Sequence, residues 1–301
     1  MPSPPPVTPP RVEPEPFVLD HAPSFGGRIH GLVQTPTRDA DAGPRPTVVI
    51  CHGFKGFMTW GFFPPLADLL VDRGFTVVRF NFSGSGQGPD DERVTDPEAF
   101  RRNTISLERD ETLHVLDHLE TIAPDRVDPK RIGLVGHSRG GAAVLLAATS
   151  DRWLDRLGAM VTWAAVGTVH RYPADLIEAW RGDGVVQVQN SRTGQLLEIG
   201  TELLDDLEQH REALDLEAAA TRRKAPWLIA HGGGDESVVV DEAHRLSDAA
   251  ARGDLEAAPI RVEILPGASH TFGARHPFAG PTPDLIHVMN ATQQWLRQHL
   301  A

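Results

Sequence analysis

The chain has 301 residues, of which 40% are hydrophobic and 23% are charged, and its formal net charge is −12. This length and composition fit a globular domain with a sizeable core. The acidic balance argues against binding to nucleic acid or to an anionic membrane surface, since both require a basic surface. The single cysteine, Cys51, excludes an intrachain disulfide, disfavours a thiolate metal site and indicates a reducing, cytoplasmic compartment.

The first 16 residues, MPSPPPVTPPRVEPEP, are half proline. They lack the apolar core of a secretory signal, so they predict a disordered or polyproline-like tail before a domain that spans residues 17–301. No apolar run in the chain approaches the roughly 20 residues that are needed to cross a bilayer. We therefore expect a soluble, cytoplasmic chain.

Strand-like apolar runs alternate with helical stretches along the rest of the chain. The strand-like runs are residues 16–20, 28–35, 47–53, 75–82, 131–137, 157–165, 225–232 and 259–267. The helical stretches are residues 62–74, 98–122, 140–150, 241–252 and 283–300. This repeated alternation predicts an α/β fold built on a doubly wound, mainly parallel sheet.

A segment of about 60 residues, 166–225, interrupts this rhythm. Residues 185–199 read as a β-hairpin around the turn sequence SRTG, and residues 203–224 read as helical. A connection of this length more often has a functional role than serves only to link two elements. We expect it to form a small cap that influences the choice of substrate.

The sequence GHSRGG (136–141) lies between a predicted strand and a predicted helix. A phosphate-binding loop is disfavoured, because no lysine occurs between Arg131 and Ala142 and the spacing of the glycines does not match G-x-G-x-x-G. The stretch does match G-x-S-x-G, in which a sharp turn exposes a serine, here Ser138. Side chains two positions before and after that serine would collide, and Gly136 and Gly140 avoid the collision.

A serine hydroxyl needs a base, and the base needs a third group that orients it. Asp235 follows the strand-like run 225–232, and His270 follows the run 259–267, so that a candidate acid and a candidate base come after Ser138 in that order. Glu236 is the alternative acid. A second histidine, His276, is the alternative base, although its position before Pro277 favours a packed loop residue.

These motifs resemble those of the α/β-hydrolase superfamily, and within it of bacterial esterases similar to dienelactone hydrolases and cinnamoyl esterases. The matching stretches run in the same order and are CHGFKG (51–56), RFNFSGSGQG (79–88), GHSRGG (136–141), HGGGDESV (231–238) and GASHTFG (267–273). The resemblance implies Ser138 as nucleophile, His270 as general base and Asp235 as its orienting acid. It also implies an oxyanion hole formed by the backbone N–H groups of Phe54 and Arg139, and neither a metal nor an organic cofactor.

Aromatic residues make up only 6% of the chain but cluster in FKGFMTWGFF (54–63), just after the predicted oxyanion position. We expect Phe57 and Trp60 to line the substrate pocket, with Trp163 and Trp180 as further candidates.

The predicted function is hydrolysis of carboxylic esters through an acyl-enzyme, with a small-molecule ester as the binding partner. The same three residues could instead cleave peptides or thioesters, because one triad serves any acyl transfer. A catalytically silent ligand-binding protein of the same fold is the alternative from a different class. The sequence leaves the acyl and alcohol specificity and the oligomeric state open.

Overall fold

The computed structural model describes residues 13–20, 27–36, 43–89, 92–253 and 258–301. Its strands are β1 (Glu15–Leu19), β2 (Ile29–Gln34), β3 (Arg45–Cys51), β4 (Thr76–Asn81), β5 (Val127–His137), β6 (Leu157–Trp163), β7 (Val185–Gln189), β8 (Leu196–Gly200), β9 (Trp227–Gly232) and β10 (Ile260–Leu265). Its helices are α1 (Phe63–Asp72), α2 (Pro97–Arg101), α3 (Ile105–Asp117), α4 (Leu119–Ile122), α5 (Arg139–Ala148), α6 (Ala174–Asp183), α7 (Glu202–Gln209), α8 (Leu216–Arg222), α9 (Asp241–Ala251) and α10 (Pro283–Leu300).

Within the described ranges, eight strands form one sheet in the order β1-β2-β4-β3-β5-β6-β9-β10. β1 and β2 pair antiparallel to each other, and β2 pairs antiparallel to β4. From β4 to β10 all neighbouring strands are parallel, so their carboxyl ends lie along one edge of the sheet. The predicted mainly parallel sheet is confirmed, and chemistry in such sheets is expected at that edge.

The central strands are buried on both faces, which explains their continuous apolar sequence. In β3, Val49 and Cys51 pack in a core with α3, α5, α8 and α9, whereas Val48 and Ile50 pack in a second core with α1 and α10. Alternate side chains of a strand point to opposite faces, so the two cores lie on opposite sides of the sheet. This is the doubly wound arrangement.

Residues 98–122 do not form the single helix that their apolar spacing predicts. They are divided among α2, α3 and α4. The hydroxyl of Thr104 accepts a hydrogen bond from the Leu107 N–H and caps the start of α3. A threonine cap favours a new helix start over continuation of the preceding helix, and periodicity alone does not detect it.

The segment between β6 and β9 contains α6, the β7–β8 hairpin, α7 and α8. The hairpin lies where the sequence predicts it, and its two strands pair antiparallel. The helical stretch predicted at 203–224 is two helices, because Asp215 starts α8 by accepting hydrogen bonds from the Glu217 and Ala218 N–H groups. α6, which the sequence analysis missed, is anchored by the buried Trp180, whose Nε1–H donates to the Ile199 carbonyl.

At the N-terminus, β1 begins at Glu15, so the predicted tail of residues 1–16 is two residues too long at its end. Glu15 and Pro16 pair with Val33 and Leu32 of β2. Residues 1–12 of that predicted tail lie outside the described residues. Among the described helices, none is long and apolar enough to cross a membrane.

Candidate active site

Ser138 lies at the sharp turn that joins β5 to α5. Its backbone has φ 55° and ψ −122°, a conformation that is strained for a residue with a side chain. The turn is fixed on both sides, since the Ser138 N–H donates to the Trp163 carbonyl over 2.9 Å and the Ser138 carbonyl accepts from the Gly141 N–H over 2.9 Å. Ser138 thus sits directly before the first residue of α5, at the positive end of that helix.

Glycines surround this turn because the backbone packs too closely for side chains. A Cβ atom on Gly136 would collide with the Gly140 carbonyl, and a Cβ atom on Gly140 would collide with the His52 carbonyl. A Cβ atom on Gly53 would lie 2.9 Å from the Ser138 Cβ atom. The loop that follows β3 is therefore pressed directly against the serine turn.

Asp235 and His270 meet at the carboxyl edge of the sheet. The His270 Nδ1–H donates to Asp235 Oδ2 over 2.7 Å, and Asp235 Oδ1 accepts from the Ser237 and Val238 N–H groups over 2.9 Å each. Burial alone raises the pKa of Asp235, but the hydrogen bonds from His270, Val238 and Ser237 outweigh it and hold that pKa below its usual value. Asp235 is therefore an ionised, fixed acceptor at neutral pH.

His137, inside the serine turn, supports the His270 loop. Its Nε2–H donates to the His270 carbonyl over 2.9 Å, and the two imidazole ring centres lie 4.7 Å apart. Burial, with a smaller contribution from His270, lowers the pKa of His137 to about 3, so the ring stays neutral. The sequence analysis missed this contact, because the residue between glycine and serine in G-x-S-x-G has no fixed identity.

Phe54 and Arg139, the two predicted oxyanion residues, also touch each other. The Arg139 guanidinium lies over the Phe54 ring, 4.6 Å from its centre. Both carboxylate oxygens of the buried Glu108 accept from Arg139 Nε, over 3.0 and 2.9 Å, and a further short contact joins Arg139 Nη2 to Glu108. The Arg139 side chain is thus used in a buried ion pair between α5 and α3.

His52 fixes the start of the Phe54 loop. Its Nδ1–H donates to the Gly53 carbonyl over 2.9 Å, and its Nε2 accepts from the Phe82 N–H over 3.2 Å. Burial lowers the pKa of His52 to about 4, which keeps the ring neutral and leaves Nε2 free to accept. The loop and the end of β4 are therefore joined through one imidazole.

A cavity of about 630 Å³ opens at this site. Ser138, His270, His137 and Phe54 line it, together with residues from the loop after β3, the start of α1, the β7–β8 hairpin and the loop after His270. These further residues are Gly53, Lys55, Gly56, Trp60, Phe63, Asn190, Ser191, Arg192, Thr271, Arg275 and His276. The serine and the histidine that faces Asp235 therefore share one cavity, in a volume typical of small-molecule sites.

Of the four aromatic residues predicted to line the pocket, Trp60 does so. The prediction is wrong for Phe57, Trp163 and Trp180, each of which is about 1% exposed and none of which lines this cavity among the described residues. Trp163 lies in the core under the sheet and donates its Nε1–H to Thr292 Oγ1. Large aromatic side chains contribute to packed cores as well as to binding sites, and composition does not separate the two.

The two alternative catalytic residues, Glu236 and His276, lie outside the contact between Asp235 and His270. Glu236 is exposed, whereas Asp235 makes the contact with His270. His276 lies in the cavity wall, where its Nδ1 accepts from the Gly61 N–H over 3.0 Å and its Nε2–H donates to Glu92 Oε1 over 2.8 Å. Both ring nitrogens of His276 are therefore already engaged.

Within the described ranges, no three His, Cys, Asp or Glu side chains are grouped so that they could hold a metal ion. Cys51 is fully buried below the site, where its thiol contacts Thr112. Burial raises the pKa of Cys51 to about 12, which keeps it a protonated thiol.

Comparison with known proteins agrees with this architecture. A family model described as the alpha/beta hydrolase fold matches residues 46–193. Among curated proteins, the chain is 26% identical over 291 residues to an uncharacterised peptidase of Bacillus subtilis (strain 168), YuxL, a match that covers 95% of the chain and 39% of that protein. The chain spans between 34% and 39% of the length of the curated relatives that it matches.

Solved structures share the fold. Est1E from Butyrivibrio proteoclasticus superposes with a TM-score of 0.65 at 18% identity, covering 94% of this chain and 98% of that one. A puromycin-hydrolyzing peptidase from Mycobacterium tuberculosis superposes with a TM-score of 0.67 at 23% identity, covering 96% of this chain and 40% of that one. Together with the family match and the serine turn between β5 and α5, these similarities show that the chain has the alpha/beta hydrolase fold and resembles proteins of that superfamily.

Proposed function

We propose that the chain is a serine hydrolase that cleaves carboxylic esters through an acyl-enzyme. The observation that carries the proposal is the 2.7 Å contact between His270 Nδ1 and Asp235 Oδ2, beside a cavity that His270 shares with the strained Ser138. A nucleophile, a base and an orienting acid are the three parts that such catalysis needs.

In the proposed reaction, the Ser138 hydroxyl attacks the ester carbonyl while His270 Nε2 takes its proton. The bond to the alcohol then breaks, and His270 returns the proton to the departing oxygen. Water then attacks the acyl carbonyl carbon while His270 Nε2 takes one of its protons. The bond between the acyl carbon and the Ser138 oxygen breaks, and His270 returns the proton to that oxygen as the acid leaves. Asp235 stabilises the imidazolium in both halves, because it stays ionised beside Nδ1.

The negative oxygen that forms on the carbonyl would be held by the Phe54 and Arg139 N–H groups. Two features support this role. Arg139 is the first residue of α5, where backbone N–H groups lack partners within the helix, and Gly53 packs against Ser138 so that the following residue borders the same space. Each such donor contributes a factor of about 10² to 10³ in turnover.

The direct test is hydrolysis of para-nitrophenyl acetate by the wild type, Ser138→Ala and Ser191→Ala. Ser191 also lines the cavity, so it is the matched control for removal of a hydroxyl at this site. We expect Ser138→Ala to lower kcat by about 10⁶-fold, whereas Ser191→Ala keeps most of the activity. A fluorophosphonate probe should label the wild type and Ser191→Ala at Ser138, and it should leave Ser138→Ala unlabelled.

An unlabelled and inactive wild type would instead support the catalytically silent binding protein. Activity that survives Ser138→Ala would also overturn the proposal, because another group would then have to attack the ester.

A peptidase is the second candidate, favoured by the match of 95% of the chain to a protein named as a peptidase. The same triad would attack an amide, although the poorer leaving group demands more of the general acid. Parallel assays on short para-nitrophenyl esters, aminoacyl para-nitroanilides and acyl-CoA thioesters separate the candidates by the ratio of their kcat/KM values. Preference for the anilides would replace the ester assignment.

A further inference from the structure

Among the described residues that line it, the cavity that contains Ser138 carries an excess of positive side chains, although the chain as a whole carries a net charge of −12. Lys55, Arg192 and Arg275 line it, and no Asp or Glu is among the described residues that do so. Over the whole sequence, Lys and Arg are outnumbered by Asp and Glu, 29 to 41. The charge balance of the described cavity lining, with three cations and no carboxylate, is therefore opposite to that of the whole chain.

The three cations come from separate parts of the chain. Lys55 lies in the loop after β3, Arg192 lies in the turn between β7 and β8, and Arg275 lies five residues after His270. Lys55 has a left-handed backbone with φ 58°, a strained conformation that glycine would adopt without cost. The fold thus brings three positive side chains from distant segments to one opening.

Two of these cations are half-buried and interact with neutral oxygen atoms. Lys55 Nζ donates to the Gln189 carbonyl over 3.1 Å, and Arg192 Nη1 donates to the Glu92 carbonyl over 2.6 Å. In the part of the chain that the structure describes, none of the three cations forms an ion pair with a carboxylate. Burial lowers the pKa of Lys55 and of Arg192, which reflects the cost of keeping these charges away from water.

Among the described residues, one acid near these cations, Glu92, already has a partner. Glu92 attracts Arg192 electrostatically, but its Oε1 accepts the hydrogen bond from His276 Nε2 over 2.8 Å, and its side chain is 55% exposed. The remaining titratable groups of the wall, His137, His270 and His276, add no negative charge. A positive cavity wall with little compensation is stabilised when a ligand supplies the opposite charge.

We propose that the ester substrate carries a carboxylate, which Lys55, Arg192 and Arg275 bind while Ser138 attacks the ester carbonyl. This inference rests on the proposed esterase function and specifies its substrate class. The planar guanidinium groups of two arginines suit a carboxylate, which they can bind through paired hydrogen bonds. A cavity of about 630 Å³ holds a short dicarboxylic half-ester or a carboxyphenyl ester.

The experiment compares esters that differ only in this charge. One pair carries the difference on the acyl side: para-nitrophenyl hydrogen glutarate against the neutral para-nitrophenyl glutaramate. A second pair carries it on the alcohol side: para-carboxyphenyl acetate against para-carbamoylphenyl acetate. Within each pair, the ratio of kcat/KM values in the wild type is divided by the same ratio in a variant, which cancels the intrinsic reactivity of the esters.

The variants are Arg192→Gln and Arg275→Gln, and Arg181→Gln is the matched control. Arg181 lies on α6, in the same segment 166–225 as Arg192; its substitution removes the same charge, and it is not among the described residues that line the cavity. For at least one pair, we expect the wild type to favour the anionic ester, and each cavity variant to reduce that preference by about tenfold, the contribution of one charged hydrogen bond. Arg275 is exposed and donates no hydrogen bond to a described residue, so its substitution should leave folding intact.

The outcomes separate the two proposals. Equal reduction by Arg181→Gln, or no preference for the anionic ester in either pair, overturns the carboxylate inference while leaving the esterase in place. Failure of the wild type to cleave any of the four esters, together with no fluorophosphonate labelling, overturns the proposed function and this inference with it. A preference in only one pair identifies the side of the ester that carries the carboxylate.

Discussion

At the scale of single residues, two neighbouring acids illustrate how position decides chemistry. Asp235 is buried and receives hydrogen bonds from His270 and from two backbone N–H groups, whereas Glu236 is exposed. The short aspartate side chain can bond back to the turn that follows it, and a glutamate one methylene longer fits this less well. The two acids therefore differ in role although they are adjacent.

We expect Asp235→Asn to lower kcat for a para-nitrophenyl ester by about 10⁴-fold, because an amide can no longer hold the required histidine tautomer or stabilise the imidazolium. Glu236→Gln is the matched control and should retain activity. Both values come from initial rates on purified protein, with folding checked by circular dichroism. Similar losses in the two variants would mean that His270 is not oriented by Asp235 alone.

Sequence order was sufficient to predict that Asp235 and His270 lie together, because both follow strands that end at the same edge of a parallel sheet. It could not predict the group formed by Lys55, Arg192 and Arg275. Those side chains meet only through the paths of three loops, and loop paths leave no periodic signal in the sequence. The burial of Trp163 and Trp180 could not be separated from a place in the pocket for a different reason: aromatic side chains serve both packing and binding, and composition does not distinguish the two.

At the scale of elements, α3 and α5 are joined by the ion pair between Glu108 and Arg139. Glu108 is 3% exposed and also accepts from Asn103 Nδ2 over 2.9 Å. Because Arg139 also stacks on Phe54, the pair links α3 to both residues of the proposed oxyanion hole. We infer that Glu108 positions this hole without touching the substrate.

We expect Glu108→Gln to lower kcat by about tenfold to a hundredfold with little change in KM, a smaller effect than losing a whole oxyanion donor. Breaking a buried pair also destabilises the fold, by about 3 kcal/mol or less here because glutamine keeps a hydrogen bond. Asp110→Asn, at a more exposed position of α3, is the control. A purely structural role for Glu108 would lower stability in urea without moving kcat.

The helices themselves were predictable where one apolar face continues without interruption, as in α1 and α10. Residues 98–122 were not, since their apolar spacing runs through the boundaries at Thr104 and His118. Helix ends are set by local hydrogen bonds from capping side chains, which compete with periodicity and can override it.

At the scale of the whole molecule, a buried acid makes the stability of the fold depend on pH. Glu111 of α3 accepts from the Ser83 N–H over 2.9 Å and makes a short contact with the Ser83 hydroxyl. Burial raises the pKa of Glu111 to about 8, against a smaller opposing effect of the Ser83 hydrogen bonds. The folded state therefore keeps a proton that the unfolded chain releases above about pH 4.5.

Because the folded pKa of Glu111 is raised, its stabilising contribution is complete below the unfolded pKa and is lost as the pH rises towards 8. We expect the free energy of unfolding of the wild type to fall between pH 6 and pH 9 by about 3 kcal/mol more than that of Glu111→Gln, in which the amide resembles the protonated acid. Urea denaturation at both pH values measures this difference. Glu120→Gln, at an exposed position of α4, should follow the wild type, and parallel curves for Glu111→Gln and the wild type would contradict the expectation.

The β7–β8 hairpin has a consequence for how such a protein can change over evolution. The hairpin supplies Asn190, Ser191 and Arg192 to the cavity wall, and it is held there by contacts such as Lys55 Nζ to the Gln189 carbonyl. Ser138, Asp235 and His270 belong to the sheet and its edge loops, outside the hairpin. During evolution, replacement of this one hairpin could therefore change the substrate specificity while the three residues of the proposed triad stay the same.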